Sequence, residues 1–268
     1  MHGDRMKAAL RRSSLVLLLA MSVRGTPGAQ SEGKTAWKAF DQWRKVRANA
    51  QLTYSDAITK YRQKLRSDGL GAGAADRTIR LVEAYEEAEL YNRVYSEAPQ
   101  FNTKPNQLII DAIENLKPGK ALDVGMGQGR NSTYLARKGW SVTGFDVASV
   151  GLQKAQEQAA TLGLSIRCVL ASDEEFDFGR EQWDLIVIIY AIEKRSVYRV
   201  AQALAPGGVV VIEAGHQETS GANFEYATNE LLHIFDGFRI LRYEDTAGSY
   251  DWGNERIRLV RLVSQKPR

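Results

Sequence analysis

Ala121-Leu-Asp-Val-Gly-Met-Gly-Gln-Gly129 is a short apolar run that passes straight into a turn with glycine at 125, 127 and 129, ahead of a helix expected from near Asn131. Glycine tolerates left-handed backbone and lets a ligand approach the main-chain N–H groups at a helix start. The spacing is G-x-G-x-G, not the G-x-G-x-x-G of dinucleotide enzymes, and the Lys-Ser/Thr pair of a nucleotide-triphosphate loop is missing. The stretch reads as a cofactor cradle, with a plain glycine-rich strand-to-helix turn as the alternative.

Two acids extend the pattern. Asp146 ends Ser141-Val-Thr-Gly-Phe-Asp146, about 20 residues beyond the glycines, where a carboxylate can accept the ribose hydroxyl protons of NAD or of another adenosine-containing ligand. Asp173, in Ala171-Ser-Asp-Glu174, could accept a proton from an adenine amino group. Each acid singly reads as well as a surface group, but both fall at the carboxyl end of a strand candidate, where ligands of open α/β sheets bind.

The surrounding chain supports that placement. Strand candidates Lys120–Val124, Ser141–Phe145, Ser165–Leu170, Trp183–Tyr190 and Val209–Glu213 alternate with helical segments, which argues for a doubly wound, mostly parallel sheet. Pro105 suits a first helical turn, with Ile109, Ala112, Ile113 and Leu116 as its apolar stripe before Pro118-Gly119. Phe238–Glu244 and Arg256–Ser264 leave no room for a helix between them, so they are expected to pair as an antiparallel hairpin at the sheet edge.

Upstream, residues 30–104 read as a helical appendage or lid on a domain of residues 105–268. Trp37, Phe40, Trp43 and Val46 recur every three residues, Tyr54, Ile58, Tyr61 and Leu65 continue the stripe, Gly69–Gly73 breaks it, and Leu81, Tyr85 and Ala88 resume it. Nine Lys/Arg face four Asp/Glu between Ser31 and Asp68, read as solvated helix faces. Residues 1–29 order a basic stretch ending in Arg11-Arg12, an apolar run Leu15–Val23 and then small residues, as an export signal does; an over-long start, with Met6 or Met21 as initiator, is the alternative. The run is too short to span a bilayer comfortably.

Composition excludes several classes. At 268 residues with 44% hydrophobic and 25% charged content, the chain is globular. Its net charge of +4 resides entirely in residues 1–29, so residues 30–268 sum to zero and give little reason to propose a nucleic-acid partner. One cysteine, Cys168, and three histidines, His2, His216 and His233, argue against a disulfide framework and against a metal site.

Taken in order, Leu122-Asp-Val-Gly-Met-Gly-Gln-Gly-Arg-Asn131, Gly144-Phe-Asp146, Ser172-Asp173, Trp183-Asp-Leu-Ile-Val187 and Leu204-Ala-Pro-Gly-Gly-Val-Val-Val211 resemble the class I S-adenosylmethionine-dependent methyltransferases over Pro105 to Lys266. Gly129-Arg-Asn-Ser-Thr-Tyr-Leu-Ala136 is most similar to the small-molecule branch that includes the tellurite-resistance and thiol methyltransferases. The resemblance implies a seven-stranded Rossmann-like sheet with a reversed last strand, and S-adenosylmethionine as cofactor. It assigns the methionine end to Asp123, Gly125, Gly127, Gly129 and Asn131, the ribose to Asp146 beside Val147, and the adenine to Ser172, Asp173 and Glu174. Tyr190 is placed near the sulfonium. Met126 stands where many relatives have Cys, and Ile189-Tyr-Ala-Ile-Glu193 replaces the Asn/Asp-Pro-Pro-Tyr/Phe motif, which argues against methylation of a DNA base or a glutamine amide.

A small-molecule acceptor follows, with S, N, O or a metalloid as nucleophile. His216, past the fifth strand, is a candidate for touching substrate, against a loop His bonded to backbone; Glu213 reads equally as an acid capping that strand. Tyr91, Tyr95, Phe101 and Asn102 are candidates to shape a substrate chamber, against ordinary packing. A nicotinamide-dependent oxidoreductase and a non-catalytic adenosyl-ligand binder are the competing classes. The leader favours export and the cofactor favours the cytoplasm, while oligomeric state has no signal in the sequence.

Overall fold

A computed structural model describes residues 27–97, 102–192, 194–219, 225–249 and 256–268. The chain forms two compact units, one ending at Val94 and one beginning, for the described residues, at Tyr95. The leader-like segment lies outside the described residues except for its last three, which already belong to a helix.

In the first unit, α1 (Pro27–Arg44), α2 (Tyr54–Ser67) and most of α3 (Ala72–Ser96) enclose a small core of Phe40, Ile58, Tyr61, Leu65, Ile79 and Val82. The aromatic stripe points inward: Phe40 and Trp43 lie 5.2 and 5.1 Å from the Tyr61 ring, and Trp37 lies 5.5 Å from Tyr85. Thr53 caps α2 by accepting the Asp56 N–H. Val46 departs from its expected place. Helix α1 stops at Arg44, so the three-residue spacing no longer aims Val46 at the core and it is exposed.

In the second unit, α4 (Gln107–Ile113) precedes β1 (Lys120–Val124), and α5 (Arg130–Arg137), β2 (Ser141–Asp146), α6 (Ser149–Thr161), β3 (Arg167–Leu170), β4 (Trp183–Ile189), α7 (Lys194–Ala203), β5 (Leu204–Gly215), α8 (Glu230–Ile234), β6 (Arg239–Ser249) and β7 (Arg256–Gln265) follow. The strands make one seven-stranded sheet in the order β3-β2-β1-β4-β5-β7-β6. Strands β1 to β5 run parallel, and β7 inserts antiparallel between β5 and β6, forming the expected hairpin. Successive residues serve opposite faces. Leu185, Val187 and Ile189 join one core with helices α4, α5 and α6, while Ile186 and Ile188 join the other with α7 and α8. The strand order turns back between β1 and β4, so their carboxyl ends open a crevice.

Two details differ from the sequence expectation. Pro105 lies outside α4, whose N-cap is Asn106, its side chain accepting the Leu108 N–H at 2.9 Å. No helix joins β3 to β4. Residues 171–182 form turns, and Phe176 stacks on Phe145 at 4.2 Å with Phe178 edge-on to both. Arg199 of α7 donates to the carbonyls of Asp173 and Phe176 and lies 4.7 Å over the Phe178 ring. These aromatics and one guanidinium cover the sheet where a helix would have done so.

Phe178→Ala removes a fully buried ring from this cluster and should cost about 3–5 kcal/mol in urea unfolding, whereas Val46→Ala should change stability by less than about 0.5 kcal/mol. Equal losses would contradict the assignment of the two sites.

Candidate cofactor site

The turn after β1 is built from left-handed backbone: φ is 65° at Gly125, 51° at Gly127 and 77° at Gly129. Each position is also closed to a side chain. A Cβ on Gly125 would collide with that of Ala191, one on Gly127 would lie 2.6 Å from the Tyr95 hydroxyl, and one on Gly129 would lie 2.7 Å from the Ala155 Cβ. Gly129 is the N-cap of α5 and offers no side-chain cap. Met126 fills the space above Gly144 on β2, and its N–H reaches the Phe145 carbonyl at 3.0 Å.

Asp146 holds this turn closed. Its Oδ2 accepts the Gly127 N–H and its Oδ1 the Ala148 N–H, each at 2.8 Å, with the Val147 N–H also favouring the charge. A carboxylate has about four lone-pair directions, so acceptor capacity remains. Asp123 is buried behind the turn and accepts from the Ser132 hydroxyl at 2.6 Å. Burial pushes both acids up to about 6, opposed at Asp123 by Ser132 and Arg130, and at Asp146 by the three backbone N–H groups.

The resulting cleft is lined by residues 125–128, Arg130 and Asn131, with Tyr95, Asn102, Thr103, Gln158 and Ile189. Gly125, Gly127, Asn131, Tyr95 and Asn102 were expected there. Gly129, Asp123 and Asp146 do not line it and instead shape its floor from behind. The Tyr95 ring occupies the space a side chain on Gly151 of α6 would need, and Lys154 donates to the Tyr95 carbonyl.

Other candidates fall elsewhere. Asp173 Oδ2 is buried and has no hydrogen-bond partner among the described residues. The Glu174 carboxylate is exposed and paired with Arg195 at 2.8 Å, while Ser172 closes a turn with Glu175. Tyr190 does not continue β4. It turns left-handed, with φ 53°, and its buried hydroxyl donates to Glu213 at 2.6 Å. Both His216 ring nitrogens are engaged: Nδ1 accepts the Glu218 N–H at 3.2 Å and Nε2 meets the Thr228 hydroxyl at 3.1 Å. His216 is thereby held within the segment that follows β5. Tyr91 belongs to the first unit, and Phe101 lies outside the described residues.

Sequence reasoning missed the group gathered on Glu213. Asn106 Nδ2 donates to Glu213 Oε1 at 2.8 Å, Arg261 Nε donates to Oε2, and Arg261 Nη1 reaches Glu244 at 3.1 Å. The available signals were Asn106 just ahead of an apolar stripe and an arginine inside the otherwise apolar Leu259-Val-Arg-Leu-Val263.

Asp123→Asn tests the buried charge. A folded-state pKa raised to about 6 favours the protonated form, so this contribution is fully present below the unfolded value of 3.8 and is lost as pH rises through about 6. Urea unfolding at pH 7 should therefore find the variant more stable than the parent by on the order of 1–3 kcal/mol, with the gap closing towards pH 4. Gly127→Ala, strained in φ and crowded by Tyr95, should lose on the order of 1–3 kcal/mol.

Residues 121–208 match the family described as "Methyltransferase domain". The chain is 24% identical over 211 residues to "Hemagglutinin 1" of Eikenella corrodens, covering 72% of this chain and 68% of that protein. It is 26% identical over 152 residues to "Probable S-adenosyl-L-methionine-dependent methyltransferase TehB" of Haemophilus influenzae, covering 52% of this chain and about half, 53%, of that one. The TehB crystal structure superposes with a TM-score of 0.52 at 22% identity, over 67% of each chain. The N-methyltransferase NodS of Bradyrhizobium japonicum WM9, solved with S-adenosyl-l-homocysteine, gives 0.54 at 18% identity over 68% of this chain and 98% of NodS. With the family match running from β1 into β5 and a reversed seventh strand completing the sheet, residues 121–208 carry a methyltransferase domain, and the chain is similar over about half its length to the S-adenosylmethionine-dependent methyltransferase TehB, whose fold it shares.

Proposed function

We propose that the protein transfers the methyl group of S-adenosylmethionine to a small, already nucleophilic acceptor. The observation that carries this reading is the glycine turn clamped by Asp146 at the β1/β4 crevice, with its backbone exposed to the cleft. The residues present fit an adenosyl ligand. Gly125 and Gly127 keep the cleft lining free of side chains there, and outside that lining Asp146 at the end of β2 retains lone pairs for hydroxyl donors and Asp173 Oδ2 after β3, without a partner among the described residues, is an acceptor that an exocyclic amine would satisfy.

When bound, S-adenosylmethionine supplies an electrophilic methyl group on a sulfonium. The chain's own contribution is orientation and exclusion of water, since displacement at carbon needs nucleophile, carbon and leaving sulfur in line. Tyr95 and Ile189 supply apolar walls, and Asn102, Thr103 and Asn131 supply polar contacts. The described lining residues include no His, Asp, Glu, Lys or Cys to act as a general base. That suits an acceptor needing little proton removal, such as a thiolate, a selenide, a tellurium oxyanion or a heteroaromatic nitrogen, and the Arg130 charge favours an anionic one.

Calorimetric titration of the full chain with S-adenosylmethionine, S-adenosylhomocysteine and NAD tests the reading. Micromolar binding of the two sulfur ligands, weakened at least tenfold by Asp146→Ala and absent for NAD, is expected. Binding of NAD alone would replace it with the oxidoreductase alternative.

A further inference from the structure

Two non-glycine residues after β4 hold left-handed backbone, Tyr190 with φ 53° and Ile192 with φ 69°. For a β-branched residue such as Ile192 that conformation is a true outlier, and it persists only where the surroundings over-determine it. The surroundings here converge on one residue. Glu213 of β5 accepts the Tyr190 N–H on its carbonyl at 2.8 Å and the Tyr190 hydroxyl on its carboxylate at 2.6 Å, gripping that residue by main chain and side chain together. Between the two strained residues stands Ala191, whose methyl occupies the space a Gly125 side chain would need.

The same carboxylate acts on a second wall. Glu213 Oε1 also holds the Asn106 side chain, and the Asn106 N–H donates to the Asn131 side chain at 2.9 Å, on the lining of the cleft. Arg261, pinned in turn by Glu244, supplies the counter-charge that lets a carboxylate be buried at this point.

We infer that Glu213 is the positioning residue of the cleft: through Tyr190 it seats the strained 190–192 turn against Gly125, and through Asn106 it seats Asn131. Glu213 is not among the residues that line the cleft. The reversed strand β7 has a part in this beyond closing the sheet, because it brings Arg261 to the acid.

The test is hydrogen exchange by mass spectrometry on the full chain and on Glu213→Gln, Tyr190→Phe and Ile192→Gly, together with S-adenosylhomocysteine titration of each folded protein. In Glu213→Gln, amides of residues 125–131 and 189–192 should exchange at least tenfold faster while those of β2, β3 and α6 keep the parent rates. S-adenosylhomocysteine affinity of the folded variant should drop about tenfold. Tyr190→Phe should loosen residues 189–192 without lowering the melting temperature substantially, and Ile192→Gly should raise the melting temperature while weakening binding. A purely stabilising residue would lower the melting temperature and leave the affinity of the folded protein and the local exchange pattern unchanged, and that result would overturn the inference. So would uniform loosening of the whole sheet. Should Glu213→Gln not fold, Tyr190→Phe decides alone, with unchanged exchange at 189–192 counting against the inference. The ligand arm rests on the proposed function. If the parent does not bind S-adenosylhomocysteine, that function fails, and the exchange arm still judges Glu213.

Discussion

The hydrogen bond from the Gly127 N–H to the Asp146 carboxylate joins the ends of two neighbouring strands, and the geometry of the cleft follows from it. Three left-handed glycines give the β1 turn a backbone that other residues would strain, but conformational freedom alone would leave it a loose loop with a high ordering cost. Asp146 removes that freedom by accepting donors from the turn on one side and from the start of α6 on the other. The acid is buried to do so, and its raised pKa is the electrostatic cost of that arrangement. Asp123 pays similarly behind the same turn, holding Ser132 and through it the first turn of α5. Stability is thereby given up at the carboxyl edge of the sheet to keep a backbone-lined cleft in one shape.

A second group of buried polar contacts lies along β5 and ties the other wall. Glu213, Tyr190, Asn106 and Arg261 come from four separate parts of the chain and meet only because β4, β5 and β7 are adjacent in the sheet. Parallel strands bring their carboxyl ends to one edge, and the antiparallel β7 delivers a residue from mid-strand to the same place. The order of strands is therefore part of the chemistry of the site as well as of its scaffold.

Much of this was legible beforehand. The Ala121–Gly129 stretch, the acids at 146 and 173, the apolar runs and the terminal hairpin specify the sheet, because period, turn residues and strand-end acids are local signals. What the sequence hid is long-range. Phe176 and Phe178 cover a sheet face without a helix because Phe145 lies opposite them, and no local pattern announces that pairing. His216 looked available from its position after β5, yet Thr228 and the Glu218 N–H occupy both nitrogens. Glu174, one residue from Asp173, whose Oδ2 has no partner among the described residues, turns away to Arg195. Arg261 could be placed only once its strand was known to lie beside Glu213.

The central claim is that this backbone-lined cleft serves methyl transfer. It is tested most directly by following labelled methyl from S-adenosylmethionine into a panel of small thiols, selenide, tellurite-derived anions and heteroaromatic amines, with the purified full chain. The account predicts label in at least one soft or anionic acceptor, matched by an equal amount of S-adenosylhomocysteine and abolished by Asp146→Ala. Tight binding of S-adenosylmethionine with no transfer to any acceptor class, or transfer that survives Asp146→Ala undiminished, would contradict it.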